Sequence, residues 1–185
     1  YHTTGINNTA VGGNALYSNT TGIDNVATGY QALYSNISGN DNVGIGLQSL
    51  YSNTTGYQNI AIGLQAMRSN TTGWVNMAIG SQALYSNVNS SNNIAIGYNA
   101  LYSHTAGSEN TAIGFYTLNA DVSGTKNTAI GYSALQLSTT GASNTANGDY
   151  SLPNNTTGYE NSGFGKCVLY DNTSGKDNTA MGMSA

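Results

Sequence analysis

Hydrophobic and polar positions recur along this chain every 17 residues, without insertion or deletion from one end to the other. An asparagine marks the register at Asn8, Asn25, Asn42, Asn59, Asn76, Asn93, Asn110, Asn127, Asn144, Asn161 and Asn178. Counting it as position zero, position one is mostly β-branched (Thr9, Val26, Val43, Ile60, Ile94), and so is position three (Val11, Ile45, Ile62, Ile79, Ile96). Position two, between them, is Ala or Gly in every copy. Alternation with period two predicts a strand with two unlike faces. Branched side chains suit a packed strand face, so positions one and three are expected to fill a core. The opposite face is expected to stay small because something, such as a neighbouring chain, approaches it closely.

Position four is glycine throughout: Gly12, Gly29, Gly46, Gly63, Gly80, Gly97, Gly114, Gly131, Gly148, Gly165 and Gly182. Either a positive φ or a close backbone approach requires glycine there, and the sequence leaves both open. A second segment carries a small residue at position seven and Leu at position eight (Leu16, Leu33, Leu50, with Met67 in one copy), read as the other half of the core. If that segment is also extended, the Tyr at position nine (Tyr17, Tyr34, Tyr51, Tyr85, Tyr102, Tyr170) points outward. Its replacement by Arg68, Asn119, Gln136 and Pro153 agrees with exposure. Asn-Thr-Thr-Gly, as at Asn19–Gly22 and Asn53–Gly56, predicts a turn at one corner.

A 17-residue unit is half the length of a helical-hairpin repeat of about 34 residues, so each copy is one turn that buries its apolar side only against its neighbours. The expected fold is therefore all-β, a parallel β-solenoid over residues 1–185, one array of about eleven coils rising ~4.8 Å each. The array begins and stops within a repeat, which reads as a piece of a longer fibre. Two irregularities stand out: Asn147 in the branched column and Pro153 in the Tyr column predict a weakened coil there.

Composition narrows the function. With 4 Lys+Arg against 8 Asp+Glu and a net charge of −4, the chain has no basic stripe to displace counterions from phosphates, which argues against a nucleic-acid partner. No apolar run is long enough for membrane insertion of this segment, and no secretory signal opens it. Two histidines, His2 and His104, and no carboxylate pair set against a base give no catalytic constellation and call for no cofactor or metal. His104 falls in the column of Asn19, Asn36 and Asn53, where it reads as a polar group at the turn.

Asp24, Asp41, Glu109, Glu160 and Asp177 share the column before the ladder asparagine, but Val75 and Lys126 share it too, so a solvated edge is the reading rather than a cation site. The single Cys167 excludes an internal disulfide and reads as a tolerated substitution. Sequons such as those at Asn19, Asn36 and Asn53 follow from the turn consensus. Trp74, Tyr57 and Tyr159 share a loop column, and aromatic faces among amides suit carbohydrate. Tyr17, Tyr34 and Tyr51 instead read as a ladder that stabilises the coil.

The strand motif Asn-Thr-Ala-Ile-Gly, as at Asn110–Gly114 and Asn127–Gly131, resembles the repeat of YadA-like head domains of trimeric autotransporter adhesins, and is similar to arrays in phage tail fibres and other bacterial surface fibres. The resemblance implies a left-handed parallel β-roll, packed as a homotrimer, on a cell or virion surface. It departs from that family in its longer, uniform repeat and in the Leu-Tyr-Ser-Asn-Thr-Thr-Gly segment. The expected function is a non-catalytic extracellular fibre segment, an adhesin head or receptor-binding tail fibre that grips a surface glycan or protein multivalently. A structural stalk or self-assembling filament is the alternative, and an ice-binding solenoid, from the paired threonines, is a third.

Overall fold

The computed structural model describes residues 4–185, and His2 lies outside them. Eleven three-residue strands, β1 (Thr9–Val11), β2 (Val26–Thr28), β3 (Val43–Ile45), β4 (Ile60–Ile62), β5 (Met77–Ile79), β6 (Ile94–Ile96), β7 (Thr111–Ile113), β8 (Thr128–Ile130), β9 (Thr145–Asn147), β10 (Ser162–Phe164) and β11 (Thr179–Met181), form one parallel sheet in chain order. Each residue pairs with its equivalent 17 residues on, as Ala95 with Ala112. The chain is thus a β-solenoid, and ten steps of ~4.8 Å make the sheet roughly 50 Å long.

So short a strand could not hold a coil in place by itself. The stacking bonds continue around the coil: in the coil after β2, Leu33 N–H donates to Ser49 O (3.0 Å), Ser35 N–H to Tyr51 O (3.0 Å) and Ile37 N–H to Thr54 O (2.9 Å). The corners are turned by left-handed residues at three positions per coil, for example Asp41 (φ 56°), Gln48 (φ 55°) and Leu50 (φ 51°). This conformation costs roughly 1–2 kcal/mol per non-glycine residue, and the hydrogen bonds between coils offset it. At position four both candidate reasons for glycine hold. Gly29 has φ 134°, and a Cβ there would lie 2.6 Å from the carbonyl oxygen of Gly46 in the next coil.

Several sequence expectations are overturned. The small column is the buried one: Ala27, Ala61, Ala78, Ala95, Ala112, Ala129 and Ala146 are fully enclosed, whereas the branched residues point outward and stay partly or well exposed. The close approach that keeps position two small comes from the same chain, since the coil is so narrow that Leu from its opposite wall fills it. A Cβ on Gly44 would sit 3.4 Å from Leu33 Cδ1 and 3.2 Å from Ser49 Oγ. The Ala/Gly face is therefore no subunit contact.

The second segment is also not extended. Positions seven and eight are both buried, as at Ala100 and Leu101. Consecutive residues of a strand point to opposite sides, and a left-handed Leu (φ 51° at Leu101) is what turns both inward.

A typical coil thus encloses a Leu, two small residues and two asparagines, and its volume is balanced locally. Where β10 carries Gly163 in place of Ala, position seven carries Val168 in place of Ala. Asn147, expected to weaken the core, stands on the outward face and is exposed. Pro153, expected outside, is buried, and its carbonyl accepts from Leu137 N–H at 2.9 Å.

Candidate functional site

The repeated asparagines are the structural backbone of the solenoid. Asn25 donates its backbone N–H and its Nδ2 to Asn8 Oδ1 (3.0 and 3.1 Å), and a further Nδ2 hydrogen to Gly39 O (2.8 Å). The pattern passes from coil to coil as far as Asn178. One oxygen accepting twice and one NH2 donating twice need an amide on a short stem; Asp lacks the donors and Gln is longer.

A second ladder runs at position eleven, with Asn36 Nδ2 donating to Asn19 Oδ1, Asn53 to Asn36 and Asn70 to Asn53, each at 2.8 Å. These buried amides include the sequons at Asn19, Asn36, Asn53 and Asn70, whose nitrogens are committed inside the fold. In the same coils Gln48 Nε2 donates to Gln31 Oε1 (2.9 Å) and Gln65 Nε2 to Gln48 Oε1 (3.0 Å).

The second ladder is interrupted by His104, Asp121 and Ser138 in three successive coils, all fully buried. His104 Nδ1 lies 2.6 Å from Asp121 Oδ2, His104 Nε2 is 3.0 Å from Gly107 O, and Gly124 N–H donates to Asp121 Oδ1 at 3.0 Å. Burial holds the Asp121 carboxyl above the ordinary carboxylate range, against the lowering pull of the His104 hydrogen bond and charge and of the Gly124 N–H. The residue types match a hydrolase triad, but the arrangement does not. The acid stands between the other two, Nε2 is spent on a carbonyl, and Ser138 Oγ has no partner. His104 is an interior ladder group rather than a polar group at an exposed corner.

Of the three aromatic ligand candidates, two come together. Tyr57 and Trp74 stack with centroids 5.8 Å apart and planes 3° apart, and are 41% and 40% exposed. Tyr159 stands five coils further on, its ring covered by Lys176 at 5.5 Å. The contact with Tyr159, followed by the charges of Asp177 and Glu160, raises the Lys176 pKa. The position-nine tyrosines stack as a ladder, Tyr17 on Tyr34 (5.2 Å) and Tyr34 on Tyr51 (5.1 Å), continued by the Arg68 guanidinium over Tyr51.

One group of residues escapes the sequence reading. Position five carries Tyr30, Leu47, Leu64, Tyr98, Phe115 and Tyr132, all exposed, with Tyr98 and Phe115 stacked at 4.9 Å. A tally of this column alone would have found it. Together with positions one and three it makes an apolar outer face that carries no charged residue from Val43 to Tyr132. Elsewhere Asp24, Asp41, Glu109, Glu160 and Asp177 all project into solvent, and among the described residues no group of three His, Cys, Asp or Glu converges on a metal-sized site. Cys167 is half-buried and free. No helix among the described residues is long and apolar enough to cross a membrane. Protein-family models, curated proteins and solved structures yield no match to this chain.

Proposed function

We propose that this chain is a non-catalytic segment of an extracellular fibre, an adhesin head or receptor-binding fibre, whose copies associate side by side and present the repeat surface several times over. The observation that carries the reading is the outer sheet face. Ile45, Leu47, Leu64, Ile94, Phe115 and Tyr132 are each more than a third exposed on one uncharged strip. Monomers rarely leave so large an apolar patch bare. Six coils of ~4.8 Å make that strip roughly 29 Å long, and at ~15 Å wide it offers about 430 Å² per copy, about half of the ~800 Å² each partner contributes to a standard interface. The resemblance to trimeric adhesin heads makes three the expected number of copies, with avidity following from symmetry.

The test is the mass in solution. Sedimentation equilibrium should give three times the chain mass, and Ile96→Lys with Ile113→Lys should reduce it to one while leaving the circular dichroism of the coil intact. A monomeric wild type would sink the proposal. A structural spacer is the second reading, favoured by the unbroken asparagine ladder, which rewards length for its own sake. Electron micrographs of end-to-end filaments with no receptor binding would decide for it. The ice-binding reading loses support because Thr54 and Thr71 spend their hydroxyls on the next coil's carbonyls, each at 3.0 Å.

A further inference from the structure

We propose that the Tyr57–Trp74 step is a binding site for a neutral carbohydrate, which stacks on the free face of the Trp74 indole. The site deepens the receptor-binding reading and rests on it. Rings in this solenoid stack along the fibre axis, so each aromatic side chain is covered by its counterparts one coil away. Tyr57 covers one face of Trp74. On the other side the counterpart is Ser91, only 5% exposed and turned inward to accept the Trp74 backbone N–H at 3.1 Å. With Trp74 40% exposed, that indole face has no counterpart ring over it, and the indole N–H has no partner among the described residues. Sugar rings stack their C–H faces on such surfaces, and an indole offers the widest one.

Beside the step lies a groove of about 330 Å³, lined by Gln58, Ile60, Val75, Met77, Asn92 and Ile94, within the usual size of small-ligand sites. Gln58 and Asn92 are exposed. In a molecule that spends its amides on one another, these two make no side-chain hydrogen bond among the described residues and are free to meet hydroxyls. The charge pattern selects the sugar. Along the column that holds Gln58, Val75 and Asn92, the next residues are Asp41 on one side and Glu109 on the other. A carboxylate-bearing sugar is repelled from both ends, and a neutral one is not. The pair sits at the corner, and the groove beside it shares Ile60, Met77 and Ile94 with the edge of the branched face.

Trp74 is the sole tryptophan, so its emission reports this site alone. The wild-type chain is titrated with soluble neutral oligosaccharides built from glucose, galactose, mannose, fucose and N-acetylhexosamines, with sialyllactose as the acidic comparison. The expected result is a saturable blue shift with at least one neutral sugar, and at least threefold weaker binding of the acidic one. By calorimetry, Trp74→Ala should weaken that binding at least tenfold without changing melting temperature or mass, Trp74→Phe should restore part of it, and Tyr159→Ala should leave it unchanged. Absence of a saturable shift with every neutral sugar on folded protein would overturn the site, as would undiminished binding by Trp74→Ala. Sedimentation run alongside separates the two proposals: a monomer that binds sugar refutes the side-by-side fibre and keeps this site.

Discussion

Replacing His104 with Asn, and Asp121 with Asn, singly and together, tests how the buried break in the second ladder is held. A carbonyl only accepts, so His104 Nε2 must carry a hydrogen to reach Gly107 O at 3.0 Å. Gly124 N–H occupies Asp121 Oδ1, and one further proton fills the 2.6 Å gap between Nδ1 and Oδ2. The pair is then neutral overall, wherever in the gap the proton lies. Asp121→Asn keeps every bond, because a neutral His104 accepts from the new Nδ2, and should change stability by less than ~1 kcal/mol. His104→Asn leaves a fully buried carboxylate without its partner and should cost about 3–5 kcal/mol at neutral pH, or roughly 6–20 °C in melting temperature for a chain of this length. The double variant extends the amide ladder through both coils and should match or exceed the wild type, by up to ~4 kcal/mol.

The sign of the pH dependence follows from the raised Asp121 pKa. A carboxyl that holds its proton more tightly when folded contributes stability fully below the unfolded value of about 4, and loses it as pH rises through the folded value. Thermal melts by circular dichroism at half-unit steps between pH 4 and pH 9 should show the wild type weakening as pH rises, relative to the double variant. If His104→Asn melts with Asp121→Asn at neutral pH, or if wild type and double variant share one pH profile, the proton accounting is wrong.

Asn110→Ala removes the acceptor for Asn127 N–H and Nδ2 and the donor to Gly124 O. It should cost about 2–5 kcal/mol in urea melts, whereas the exposed Asn89→Ala, in a column that already holds Ala106, should stay within ~0.5 kcal/mol. Leu101→Ala empties most of one coil and should cost about 2–5 kcal/mol. Ile96→Ala on the outward face should cost the isolated chain far less, and equal losses at the two positions would contradict the assignment of faces.

The solenoid, its 17-residue coil and its strands were legible because side-chain columns repeat without a gap, and β1 to β11 fall on the Asn-x-Ala/Gly-x-Gly motif. The faces were not legible. A rule that sends branched residues inward presumes a core wide enough to hold them, and the width of this coil is set by left-handed corners at residues such as Gln48 and Leu50, types that do not advertise that conformation. Asn147 and Pro153 were misplaced for the same reason. Of the candidate site, the Tyr57–Trp74 stack was readable from a shared column. The open face of Trp74 depends on Ser91 turning inward, and the apolar strip depends on which way the sheet faces. His104 and Asp121 share a column in adjacent copies, yet their contact becomes meaningful only once that column is known to be interior.

The asparagine ladders also constrain how such a gene can change. Where a rung bonds to a chemically identical rung, recombination between two such copies adds or removes whole coils and leaves every amide paired. Length is therefore free to drift in steps of one repeat. The His104–Asp121 rung is different, since its halves lie in neighbouring copies. A crossover between them would separate an acid from its base inside the coil, so these two repeats must be inherited as a single unit.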